Sequence, residues 1–116
     1  MPLATFSKVL LSGSVSGAPI LIASSSDPGT TIHVGVAGSN AFDELWLWAT
    51  NVSTTDQILN VQLGGSGNTN RVVASVTASN IQLILPGTPL NGAVRVSGFC
   101  ASTSAVNCFG YANRIQ

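Results

Sequence analysis

Few side chains in this 116-residue chain could do chemistry, and they are sparse enough to take one by one. His33 is the only histidine. Alternating with Ile32, Val34 and Val36, it is expected on the opposite strand face, outward or at an interface. A catalytic histidine needs a nucleophile and an orienting group, and serines are too abundant here to single one out. A metal site needs further ligands at set spacings, and no Cys or carboxylate pattern surrounds His33. The residues therefore predict no catalytic site, no metal and no cofactor. Asp43 and Glu44 are the only adjacent carboxylates. Neighbours on a strand point to opposite faces, so they cannot act as a pair across a cleft. They are expected to close a turn and discourage edge pairing. Asp27, before Pro28 and Gly29, reads as a turn residue.

Cys100 and Cys108 flank a turn-rich stretch, Ala101 to Asn107. A hairpin centred on Ser104 would set Cys100 opposite Cys108, Phe99 opposite Phe109 and Gly98 opposite Gly110. The spacing is not that of a redox or zinc motif. Reduced thiols are expected at synthesis, with a cross-strand disulfide open to them in an oxidising medium. Trp46, Trp48 and Tyr111 suit either stacking on sugars or packing in a core or between subunits, and packing is the expectation. Asn51-Val52-Ser53 matches a glycosylation sequon, but without a signal peptide it reads as a chance match. Gly64 to Gly67 join two strands rather than a strand and a helix, so they are not a phosphate loop.

The elements that position these residues are strands. Apolar residues alternate with polar ones at Ile32-Val34-Val36, Leu59-Val61-Leu63, Val72-Ala74-Val76 and Val94-Val96, a period of two with one face buried. Turn signals divide the chain near Asp27-Pro28-Gly29, Gly38-Ser39-Asn40, Ser53 to Asp56, Gly64 to Asn70, Pro86-Gly87, Asn91-Gly92 and Ala101 to Asn107. Eight or nine strands follow, over 5–12, 18–24, 30–37, 44–52, 57–64, 71–78, 81–86, 93–101 and 107–115. Short turns at even spacing predict an all-β, single-domain, jelly-roll-like β-sandwich of about eight strands spanning 1–116. Residues 1–25 are the least patterned and are expected to form a partly extended N-terminal arm. In the segment Asp43 to Val52, Leu45 and Leu47 take one face and Trp46 and Trp48 the other, so that strand is either doubly covered or faces a partner.

Only 7% of residues are charged, against about 25% in an ordinary soluble domain, and formal net charge is zero. A zero net charge leaves no basic footprint for nucleic acid. The apolar run Val9 to Ala23 is broken by Ser, Gly and Pro, so neither a cleaved signal nor a membrane helix is expected. A surface with so little charge has little to keep copies apart, which favours a building block of an assembly.

The order of segments resembles small virion structural proteins of tailed double-stranded DNA bacteriophages. The matching pieces are Phe6-Ser7-Lys8, Leu10-Leu11-Ser12-Gly13-Ser14, Pro28-Gly29-Thr30-Thr31-Ile32-His33, Asp43-Glu44-Leu45-Trp46-Leu47-Trp48-Ala49-Thr50-Asn51, Leu85-Pro86-Gly87 and Gly110-Tyr111-Ala112-Asn113-Arg114-Ile115. The resemblance implies a capsid decoration, or cement, protein made in the host bacterial cytoplasm. It would be a homotrimer bound to the major capsid protein on the capsid surface, away from nucleic acid and membrane. The residues expected at interfaces are Trp46, Trp48, His33, Phe99, Phe109 and Tyr111. The alternative is a receptor- or glycan-binding module of a tail or fibre.

Overall fold

The structure is a computed structural model that describes residues 4–65 and 67–116. Its elements are β1 (Phe6–Leu10), β2 (Ile20–Leu21), β3 (Thr30–Val34), β4 (Phe42–Asn51), β5 (Gln57–Leu63), a 3-10 turn (Asn68–Asn70), β6 (Arg71–Val76), β7 (Ile81–Leu90), β8 (Arg95–Cys100) and β9 (Val106–Ile115). Each predicted strand is present, because alternation sustained between turn residues leaves the backbone few other ways to bury one face.

Two antiparallel sheets pack face to face. One has the order β1-β9-β4-β7, with β2 also pairing β9; the other has the order β3-β8-β5-β6. The core lies between them. Leu45, Leu47 and Ala49 of β4, Leu59 and Val61 of β5, Val76 of β6, Val96 of β8 and Val106 of β9 are all fully buried. The inward residues are those the alternation selects: β4 buries every second side chain from Asp43 to Asn51.

Four expectations change. Residues 6–22 are not an outlying arm, because β1 and β2 pair with β9 and Leu11, Ile20 and Ile22 are buried in the core; residues 1–3 lie outside the described residues. β7 does not stop at Pro86-Gly87 but runs on to Leu90, with register shifts against β4. It is an edge strand, so the missing N–H of Pro86 need not interrupt a ladder, and Gly87 at φ 72° takes up the irregularity. Asp43 closes no turn: it is fully buried in β4, a strand paired on both sides by β7 and β9. Finally, β8 and β9 are not a hairpin. β8 pairs with β3 and β5 while β9 pairs with β1, β2 and β4, so the chain crosses from one sheet to the other between them.

Cys100 and Cys108 are therefore free thiols buried on different sheets, opposite Leu59 and Ala49 respectively. Burial, with a smaller contribution from Cys100, pushes the Cys108 thiol up to about 12. Phe99 and Phe109 are likewise separated, because each lies on the outer side of its own sheet.

Candidate functional site

His33 is 1% exposed and faces inward, against expectation. The cause is a register shift between Thr31 and His33 against β8, which turns Ile32 and His33 inward together and leaves Val34 outside. His33 Nδ1 meets the backbone N–H and the hydroxyl of Ser12, each at 3.1 Å. A backbone N–H can only donate, so Nδ1 is the acceptor and Nε2 carries the ring proton. Nε2 donates to Asp43 Oδ2 at 2.8 Å.

Asp43 accepts more than this one bond. Arg114 of β9 donates through Nε to Oδ1 at 2.7 Å and through Nη2 to Oδ2 at 2.9 Å, a bidentate pair, and the Val36 N–H reaches Oδ2 at 3.1 Å. Burial pushes the Asp43 carboxyl up, but the hydrogen bonds and charges of Arg114 and His33 outweigh it and hold the group below its usual range. The bond to Asp43 raises Arg114 in turn, against the opposing effect of its partial burial.

Serine, histidine and aspartate thus stand in the order of a nucleophile, a base and an orienting acid, yet every group is otherwise engaged. Ser12 Oγ also accepts the Val34 N–H at 2.6 Å, which fixes the hydroxyl against β3. The imidazole lone pair is shared with the Ser12 backbone. The Asp43 carboxylate is also held by the Arg114 guanidinium at 2.7 Å. What this arrangement does is tie the segment after β1, β3, β4 and β9 together, joining both sheets through one carboxylate. Sequence reasoning missed it because Asp43 and Arg114 stand 71 residues apart and no spacing rule links them. The closest available signal was an acid at an inward position of a strand.

The aromatic residues form a second feature, on the outer face of the β1-β9-β4-β7 sheet. Directly paired residues share a face, so the register lays this surface out in rows. Leu10, Tyr111 and Trp46 form one row, Phe109, Trp48 and Leu83 the next, and Leu21, Asn107, Thr50 and Ile81 a third. Toward the other end come Lys8, Asn113 and Glu44, then Phe6, Ile115 and Phe42. The rings of Trp46 and Trp48 are half-buried, with centroids 6.3 Å apart at 23°. Trp48 also meets Phe109 at 6.0 Å and 14°, and Tyr111 at 6.1 Å. These are offset-stacking distances. Lys8 Nζ sits 4.5 Å from the Tyr111 ring centre.

Two glycines make room for Trp46. Gly110, at φ 152°, lies against the Trp46 backbone, where any Cβ would collide with the carbonyl. Gly87 lies against the indole: a Cβ there would fall 3.0 Å from the ring. The Trp46 Nε1–H is buried without a partner among the described residues. Around the stack Ile81 is 65% exposed, with Leu10, Leu21 and Leu83 also exposed; Phe6 and Phe42, exposed too, lie beyond the Lys8-Asn113-Glu44 row. Isolated exposed apolar residues are ordinary, but contiguous rows of them mark a surface that something covers.

The structure thus sorts the expected interface residues. Trp46, Trp48, Phe109 and Tyr111 come together on one outer face; Phe99 stands on the opposite one, where Arg71 lies 5.3 Å from its ring centre; and His33 is inside. Among the described residues no group of three or more His, Cys, Asp or Glu could hold a metal ion, and no helix is long and apolar enough to cross a membrane. No protein-family model matches the chain, and neither a curated protein nor a solved structure matches it.

Proposed function

We propose that this chain is a jelly roll that serves, without catalysis, as a structural subunit of a virion, decorating the capsid and binding the major capsid protein as a homotrimer. The observation that carries the reading is the aromatic and aliphatic outer face of the β1-β9-β4-β7 sheet, in a chain with 7% charged residues. Such a face gains by being covered, at roughly 25 cal/mol per Å² of apolar surface removed from water. Aromatic rings near the centre of an interface usually carry most of its energy.

The jelly-roll reading is supported by the pairing. β2 pairs β9, β3 pairs β8, β4 pairs β7 and β5 pairs β6, so the pairs nest from the outside inward as in a long hairpin rolled up on itself. The β4–β9 and β5–β8 ladders then close the two sheets. Eight-stranded double sheets of this kind occur in viral capsid and lectin domains. A subunit that binds only the assembled lattice stabilises it by mass action, and linked copies gain by avidity.

The second reading is a receptor- or glycan-binding module of a tail or fibre. It is favoured by a cleft of about 320 Å³ at the polar end of the aromatic face, lined by Phe6, Ser7, Lys8, Glu44, Asn113 and Ile115. One experiment separates the two. Virions assembled without this chain should form heads that lose DNA on mild heating; stable heads that fail to adsorb would replace the first reading by the second.

A further inference from the structure

The outer face of the β3-β8-β5-β6 sheet carries a polar row, Thr31, Ser97, Gln62 and Arg71, set side by side by the register. Over this row a pocket of about 240 Å³ opens, lined by Asp27, Gln62, Gly64, Gly65, Arg95 and Ser97. Gln62 is only 2% exposed, yet its Nε2 has no hydrogen-bond partner among the described residues. Its Oε1 accepts from the Ser97 hydroxyl at 3.4 Å, a long contact. Turning the amide over would exchange a free donor for a free acceptor, and one atom would still be unpaired. A native fold rarely keeps a buried amide atom unpaired unless something outside the chain satisfies it.

The charged groups point the same way. Arg95 is held by neutral acceptors: Nε donates to Thr31 Oγ1 at 2.9 Å and Nη2 to the Gly29 carbonyl at 2.8 Å. Asp27 lines the same pocket, but the ion pairs among the described residues are those of Asp43, not Asp27 with Arg95. Both line one pocket with the Gln62 amide and the Ser97 hydroxyl. Arg71 Nε, beside Gln62 in the row, is also buried without a partner among the described residues.

We propose that this pocket binds a sugar ring through a pair of neighbouring hydroxyls. A hydroxyl both donates and accepts, and this pocket offers an acceptor-only carboxylate, a donor-only guanidinium, an amide donor and a serine hydroxyl. Its groups come from the Asp27 loop, the strand floor and the Gly64-Gly65 turn, so a ligand must carry polar groups on several edges of one compact frame. A sugar ring does so. An α-amino acid crowds its charges onto one carbon, and a simple anion leaves Asp27 facing like charge. The volume falls below the about 300–1,000 Å³ of pockets for drug-sized ligands, which suits a single ring. The site lies on the face opposite the aromatic stack, so a subunit attached through the stack would present it outward. The assignment does not depend on that attachment.

The test is a two-dimensional amide NMR titration of the whole chain with glucose, galactose and N-acetylglucosamine at millimolar concentration, with glycine and acetate run alongside. At least one sugar should shift the Gln62 side-chain NH2 pair and the Gly64, Gly65 and Ser97 amides, saturably, while glycine and acetate do not. Gln62→Leu should weaken that binding about tenfold or more. If Gln62→Leu fails to fold by circular dichroism, Ser97→Ala replaces it. Absence of a shift with every sugar overturns the proposal, as does equal binding of glycine or acetate. Shifts centred on Trp46, Trp48 and Lys8 would also overturn it, and would support the glycan-module reading instead.

Discussion

The two outer faces of the sandwich are built by the same alternation and present opposite chemistry. Outward positions of β4 and β9 include Trp46, Trp48, Phe109 and Tyr111, flanked by Leu10 and Leu83. Outward positions of β8, β5 and β6 are Ser97, Gln62, Asn60, Arg71 and Ser75, with Phe99, Ile58 and Val73 interspersed. A strand period says that one face is buried by the fold; it does not say what the other face meets. The first face is rich in aromatic and aliphatic side chains; the second mixes polar side chains with fewer apolar ones. What joins them is the Asp43 cluster, in which a carboxylate of one sheet holds a histidine of the other.

Cutting that join should have the largest effect. Asp43→Ala leaves Arg114, the His33 Nε2–H and the Val36 N–H without their acceptor. Breaking a buried pair costs about 3–5 kcal/mol, and Arg114, 24% exposed, sets this one near the lower end. Against a total of about 5–15 kcal/mol, that lowers the urea midpoint severely, and both faces should lose definition together. If the midpoint hardly moves, the cluster is not the tie between the sheets.

The same cluster predicts the acid limb of stability. The folded carboxyl lies below its unfolded value of about 3.9, so its contribution is fully present above that pH and is lost as pH falls through the lower folded value. Denaturation midpoints measured from pH 6 downward should fall steeply below about pH 4 in the native chain. The fall should be shallower in Asp43→Asn, which has no such proton to take up.

The aromatic face should be energetically smaller for folding and larger for assembly. Trp46 and Trp48 are half-buried, so replacing both by alanine should cost less per ring than the about 3–5 kcal/mol of a fully buried aromatic. Light scattering should show the native chain as a trimer at micromolar concentration and the double variant as folded but dissociated. A native chain that stays a soluble monomer and does not bind capsids would end the assembly reading.

The smallest effect on folding gives the sharpest contrast between faces. Leu83→Lys on β7 and Val73→Lys on β6 both change exposed side chains, and each should move stability by no more than about 0.5 kcal/mol. Leu83→Lys should nonetheless weaken assembly, and Val73→Lys should not. Equal effects on assembly would erase the distinction between the faces.

Reading the sequence identified the elements but not all of their partners. The strand over Asp43 to Val52 shows the strength of the method: Leu45 and Leu47 enter the core and the tryptophans stand outside, as a period of two requires. His33 shows one weakness. A single irregular residue pair in β3 reverses its face, and such a shift depends on the neighbouring strand rather than on local residue type. The cysteine pair shows another. The stretch between Cys100 and Cys108 has turn chemistry, but turn chemistry does not distinguish a hairpin from a crossing between sheets.

What the sequence determined by itself was the class of fold, the strand set and the inward face of most strands. Those follow from local steric and solvation rules that act within a few residues. Only the tertiary structure decided the pairing of strands, the meeting of Ser12, His33, Asp43 and Arg114, and the gathering of four aromatic rings on one outer face and Gln62, Ser97 and Arg95 on the other. Each of those joins residues distant in the chain. Such contacts are selected by how two sheets bury their common core, a condition on the whole chain that no short window contains.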